Sequence, residues 1–223
     1  MNVLIIKNSP HEGPGNIIQY VNTKGIKFHI IEAYRNHRIS SLKRYQYLIV
    51  LGGPMGVYEM DRYPFLVAVA KTIEHALKSG IKILGICLGC QLFAYVLGAK
   101  VYKGKGEEIG WYDIEFTEEG LLDPCFSTLS DTSGKAKVFM WHGDTFDAPN
   151  GTTRLASSSL FSEQAFRYGT SYGIQFHPEV TTEMILKWSK NRQDLKDIID
   201  DSATFYFEYR QKANRFYSAF FKT

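Results

Sequence analysis

No apolar run in this chain approaches the ~20 residues that a membrane-crossing helix needs. The run at the start, in MNVLIIKNSP, is also far too short for a signal peptide and reads as a first strand. Cysteine is scarce: three residues, an odd number, do not make a disulfide framework, and a reducing cytoplasm is the expected setting. Charge of either sign is never concentrated. The formal net charge is +3 and Lys and Arg are scattered, so neither a nucleic-acid patch nor a membrane-binding stripe is expected. Internal repeats and low-complexity linkers are lacking too. A single domain over 1–223 is therefore expected, with a core of about 1–190 and a C-terminal helical extension at 195–223.

What is present is a series of short buried strands. Val3–Ile6, Lys27–Ile31, Tyr47–Leu51 and Ile83–Ile86 read as strands, and Asn16–Val21 and Pro64–Leu77 as helices between them. Strands alternating with helices predict a flavodoxin-like α/β fold, a mostly parallel sheet with helices on both faces. The middle of the chain is richer in β-structure, with strands expected at Lys100–Thr117, Lys135–Met140, Arg154–Ser157, Gln164–Tyr168 and Ser171–Phe176. Thr181–Lys190 reads as a helix capped by threonine, and Ser202–Phe221 as an aromatic-rich helix.

The chain is organised around KILGICLGCQLFAYVLGA, Lys82–Ala99. A strand runs into Gly85-Ile86-Cys87-Leu88-Gly89 and a helical pattern follows, which is the layout of a nucleophile elbow. Such a turn lifts the Cys87 sulfur to a helix N-terminus, where the dipole favours the thiolate. A cysteine nucleophile needs a base, and the base needs an orienting acceptor. His177 and Glu179 in QFHPEV supply both. They sit two apart, so an extended segment points them to one side, and Pro178 restricts the residue before it to extended conformations. Gly53, at the end of the third strand, and Leu88, just after the cysteine, offer backbone N–H groups to a developing oxyanion.

Together GICLGCQ, LGGPMGVYE, MWHGDTFD and QFHPEV resemble the class I, triad-type glutamine amidotransferases over roughly Met1 to Lys190. The resemblance implies Cys87 as nucleophile, His177 as base, Glu179 as its partner, an oxyanion hole from Gly53 and Leu88, and a substrate contact from Gln91. It also implies attack on a γ-glutamyl amide with formation of a γ-glutamyl thioester. GEEIGW with GGPMGVYE looks closer to stand-alone members, similar to GMP synthase glutaminase domains and γ-glutamyl peptidases, so a fused synthase domain is not expected. Gly110 and Trp111 are the expected wall of the substrate pocket.

Three functions stand open on this basis. The first is hydrolysis of γ-glutamyl amides, in glutamine or a γ-glutamyl peptide. The second is a glutaminase subunit delivering ammonia to a separate synthase, and the third a catalytically silent binding protein. No cofactor and no metal is expected, because no second Cys/His pair lies at ligand spacing. Cys87-x-x-Cys90 matches a redox spacing, but the glycines fit an elbow, and Cys90 is expected to pack. His142 is expected to be structural, and Glu107 and Glu108 to form a solvated turn, the alternative being that either lines the pocket. The aromatic C-terminal helix is expected either to pack on the core or, if exposed, to pair two copies of the chain.

Overall fold

Strands that are apolar at every position dictate the architecture. In β1 (Asn2–Lys7), Val3 and Ile5 point to one face of the sheet and Leu4 and Ile6 to the other, all fully buried. β3 (Tyr47–Val50) repeats the pattern, with Tyr47 and Ile49 on the first face and Leu48 and Val50 on the second. Neighbouring side chains of a strand face opposite ways, so such strands must be covered on both sides. α1 (Gly15–Thr23) covers the first face, through Ile17 and Val21. α2 (Phe65–Lys78) and α3 (Leu88–Val96) cover the second.

The computed structural model describes residues 1–35, 37 and 41–222. Besides β1 and β3, its strands are β2 (Lys27–Glu32), β4 (Lys82–Ile86), β5 (Val101–Phe116), β6 (Lys135–Phe146), β7 (Thr153–Ser157), β8 (Ala165–Tyr168) and β9 (Ser171–Ile174). They form one sheet in the order β2-β1-β3-β4-β9-β8-β7-β5-β6. The run from β2 to β9 is parallel, as expected for a flavodoxin-like α/β fold. From β9 to β6 every pairing is antiparallel. The β-rich middle is thus an extension of the same sheet, joined through β9.

The remaining helices are α4 (Glu118–Leu122), α5 (Thr182–Ser189) and α6 (Leu195–Phe220). Thr181 caps α5 as expected, its hydroxyl accepting the Met184 N–H at 3.2 Å. α4, capped in the same way by Thr117, was not legible as a helix because it lasts little more than one turn. α6 begins seven residues earlier than its aromatic spacing suggests and sinks Tyr209, Phe216, Tyr217 and Phe220 into the first core. Thr223, the last residue of the expected extension, lies outside the described residues. No helix among the described residues is long and apolar enough to cross a membrane.

Two features of this frame position the candidate site. The carboxyl ends of β1, β3, β4 and β9 lie side by side, because these strands are parallel and in register. β6 also runs beyond the strand expected to end at Met140: Trp141–Phe146 stays paired with β5 and brings the WHGDTF segment alongside those ends.

Candidate active site

Cys87 stands between β4 and α3 with φ 52° and ψ −111°, the one non-glycine residue with positive φ among the described residues. A conformation of this kind costs about 1–3 kcal/mol and persists only where the surroundings impose it. Here the Cys87 N–H donates to the Ile174 carbonyl at 2.9 Å, and the Cys87 carbonyl accepts the Gln91 N–H at 3.0 Å. Gly89 lets the elbow approach the sheet, since a Cβ there would overlap the Val50 carbonyl oxygen. The cysteine is 6% exposed, and its Sγ lies 3.8 Å from the Trp141 carbonyl oxygen.

His177 follows β9 and is held by its own N–H, which donates to the Phe139 carbonyl at 2.9 Å. Its Nδ1 lies 2.8 Å from Glu179 Oε1, so a carboxylate acceptor fixes the proton on Nδ1 and leaves Nε2 free to act as a base. Both side chains are buried, and besides Glu179 the ring interacts with the Cys87 thiol. Burial pulls the His177 imidazolium down, but Glu179 and Cys87 outweigh it and hold it well above the ordinary histidine range. Burial pushes the Cys87 thiol up, and His177 opposes that. The two groups therefore titrate as a pair.

Asn16 clamps the His-Pro-Glu segment. Its Nδ2 donates to the Pro178 carbonyl at 2.8 Å and the Val180 carbonyl at 3.3 Å, and its N–H donates to the Glu179 carbonyl at 2.9 Å. The Tyr217 hydroxyl of α6 in turn donates to Asn16 Oδ1 at 2.9 Å. Gly15 has φ +45°, and a Cβ on it would overlap the Glu179 carbonyl oxygen. The loop after β1 thus reaches the acid by backbone approach.

The other expected residues divide into two groups. Gly53 and Leu88 come together, a Cβ on Gly53 lying 2.8 Å from Leu88 Cδ2. Leu88 is the first residue of α3, where an N–H has no partner within the helix. Gln91 is buried one turn on, its Nε2 3.4 Å from the Asp144 carbonyl oxygen. Gly110 and Trp111 are placed elsewhere. Trp111 packs against Phe139, Phe205 and Tyr209, its indole N–H donates to Ser202 Oγ at 2.9 Å, and Gly110 faces Ile198. Both are built into the seat of α6.

A buried polar cluster backs Gln91. His142 Nδ1 and Gln175 Nε2 reach the same Asp144 carbonyl, at 3.1 and 3.0 Å. Gln164 Nε2 donates to Glu108 Oε2 at 2.6 Å, and that oxygen lies 3.4 Å from His142 Nε2. His142 is a structural histidine, as expected. Glu108 is not the solvated turn residue that was expected: it is fully buried. The register shift between Lys103 and Glu108 sets it directly opposite His142.

Motif reading missed a second carboxylate, Glu12, in the HEGPG loop after β1. A Cβ on Gly52 would overlap Glu12 Oε2 and come within 3.2 Å of His177 Cε1, so the carboxyl and the imidazole crowd one point. Burial pushes the Glu12 carboxyl up to about 7, with His177 pulling it down and Glu179 pushing it up. The available signal was its position at the carboxyl end of a parallel strand.

An elbow cysteine beside a His–Glu pair thus stands at the strand ends of a flavodoxin-like sheet. The chain belongs to the class I glutamine amidotransferases, whose family model matches residues 14–186. It is 33% identical to a glutamine amidotransferase of Thermotoga maritima, whose crystal structure superposes with a TM-score of 0.91 over 100% of this chain and 99% of that one. The Salmonella typhimurium glutamine amidotransferase-like protein YfeJ is 28% identical over 190 residues, 83% of this chain and 78% of that protein. A glutamine-hydrolyzing GMP synthase of Shewanella sediminis is 35% identical over 140 residues, 60% of this chain but only 25% of the synthase.

Proposed function

We propose that the protein hydrolyses γ-glutamyl amide bonds, in glutamine or a γ-glutamyl peptide, through a thioester on Cys87. One juxtaposition carries this reading: the Glu179–His177 pair at 2.8 Å, whose imidazole also interacts with a cysteine on a strained elbow. Nε2 takes the Cys87 proton, and the sulfur attacks the γ-carbonyl carbon. The Gly53 and Leu88 N–H groups receive the oxyanion, each such donor being worth about 10²–10³ in rate in comparable enzymes. When the carbon–nitrogen bond breaks, the imidazolium returns its proton to the departing amine. Water, deprotonated by His177, then splits the thioester, giving glutamate and the free thiol. Glu179 keeps the ring oriented and stabilises the imidazolium. Gln91, fixed on Asp144, borders the glutamyl moiety.

A second reading is a glutaminase subunit that supplies ammonia to a separate synthase, favoured by the likeness to one quarter of a GMP synthase. A silent binding protein would have no need of the intact Cys87, His177 and Glu179 set. The deciding experiment is glutamate release from glutamine and from glutathione by the purified protein, with Cys87→Ala as control. Robust Cys87-dependent turnover supports the hydrolase. No turnover, with Cys87 still labelled by a glutamine-like electrophile, would favour the subunit.

A further inference from the structure

Glu12 has no role in the steps above, yet it sits at the triad. Its Oε2 and His177 Cε1 meet over Gly52, where only a glycine leaves room for both. It also acts electrostatically on Cys87. Among the described residues no lysine or arginine pairs with its carboxyl and no donor hydrogen-bonds it. The residues beside it are nevertheless fixed. The Trp188 indole N–H donates to the His11 carbonyl at 3.1 Å, and Asn16 closes the loop on the Pro178 and Val180 carbonyls. Trp188 itself packs edge-on against His177, ring centroids 5.0 Å apart. A half-buried carboxyl on a loop whose flanks are fixed, with no hydrogen-bond donor of its own among the described residues, is available to a ligand.

Which part of a ligand it meets follows from the chemistry, on the reading proposed above. His177 must hand its proton to the departing nitrogen, so the leaving group lies on the His177 side of the sulfur. Glu12 borders that side, whereas Gln91 and Asp144 lie along α3 and β6. We propose that Glu12 selects the leaving group: amines that are cationic or neutral near the scissile nitrogen are accepted, and those carrying a carboxylate there are repelled. The substrates would then be glutamine or γ-glutamyl derivatives of amines, in preference to γ-glutamyl amino acids with a free α-carboxylate. The groups facing Glu12 are His177 and Glu179 from the segment after β9 and Cys87 from the head of α3. Because burial places the Glu12 carboxyl at about 7, the selection strengthens as pH rises through neutrality.

The test compares kcat/KM for three γ-glutamyl amides matched in size: the ethylamide (neutral), the 2-aminoethylamide (cationic) and γ-glutamylglycine (anionic). The expected wild-type order is cationic, neutral, anionic. Glu12→Gln, which keeps the shape, should narrow the cationic-to-anionic ratio at pH 8 by about tenfold or more, and Glu12→Lys should invert it. The wild-type ratio should shrink toward pH 6, while the Glu12→Gln ratio stays flat. Cys87-dependent turnover of the ethylamide with a ratio unchanged in both variants overturns the role of Glu12 and leaves the hydrolase reading intact. No turnover of any of the three by the wild type overturns the hydrolase reading and this inference with it.

Discussion

Asn16→Ala removes a side chain that is 2% exposed and joins three parts of the chain. Three hydrogen bonds go: those to the Pro178 carbonyl at 2.8 Å, the Val180 carbonyl at 3.3 Å, and the one received from the Tyr217 hydroxyl at 2.9 Å. Each buried polar group left without a partner costs about 1–3 kcal/mol. The Val180 contact is long, and a carbonyl that loses one of two acceptor sites suffers least. The Tyr217 hydroxyl, fully buried, suffers most. A net loss of about 3 kcal/mol follows, equivalent to roughly 6–12 °C in Tm for a chain of this size. The Asn16 N–H to the Glu179 carbonyl survives the change, so the segment should loosen and not detach. A displacement of about 1 Å at the base costs on the order of 10² in rate, and the loss should fall on kcat with KM little changed. Tyr217→Phe separates the two effects. It leaves Asn16 Oδ1 unpaired at a cost of about 1 kcal/mol but keeps both bonds to the His-Pro-Glu segment, so kcat should hold. Thermal unfolding and glutamate-release kinetics on both variants and their double mutant measure the coupling. An Asn16→Ala protein within about 0.5 kcal/mol of wild type and with unchanged kcat would refute the clamp.

Three further outcomes are expected. Alkylation of Cys87 by iodoacetamide should rise with pH to a midpoint above that of an ordinary thiol, because burial disfavours the thiolate. His177→Ala should move that midpoint higher still, since the histidine opposes the effect of burial, whereas Glu12→Gln should lower it; a downward shift in His177→Ala would contradict the pairing. His177→Ala should lower kcat by several orders of magnitude and Glu179→Gln by less, because the acid orients and does not react; equal losses in steady-state assays would argue against that division. Trp111→Phe deletes the bond to Ser202 and should cost about 1 kcal/mol of stability, read by denaturant titration, with KM unchanged; a raised KM would return Trp111 to the substrate wall.

The parallel half of the fold was legible because its strands carry their own punctuation. Val3–Ile6, Tyr47–Leu51 and Ile83–Ile86 carry no charged side chain and each begins after a polar or charged residue (Asn2, Gln46 and Lys82), so both their existence and their double burial follow. The elbow was legible for a similar reason: its two glycines answer to close backbone contacts that no side chain permits. Trp111 misled because an aromatic beside a motif looks the same in sequence whether it faces a ligand or a helix arriving from ninety residues away. The aromatic spacing of α6 begins only at Ser202 because Leu195–Asp201 mixes charge with apolar positions, and its first turns are fixed by burial of Ile198 against β5. Long-range packing of that kind has no local signature.

Glu108 and Glu12 sharpen the point, since both are carboxylates in loops or strand margins that composition alone assigns to solvent. Glu108 is fully buried; its Oε2 accepts from Gln164 and lies beside His142, which ties it to the Gln91 side of the site, while its Oε1 has no partner among the described residues. Glu12 is half-buried beside His177, and burial raises its carboxyl toward neutrality while His177 pulls it back down. A structural carboxylate would be expected to acquire partners, because an uncompensated one destabilises the fold at every pH where it is ionised. Glu12 has no hydrogen-bond donor among the described residues, and a passing ligand can supply one. On the proposed reading, the ligand-accessible carboxylate beside His177, and not the enclosed one behind Gln91, is therefore the place where a preference among γ-glutamyl compounds should be sought.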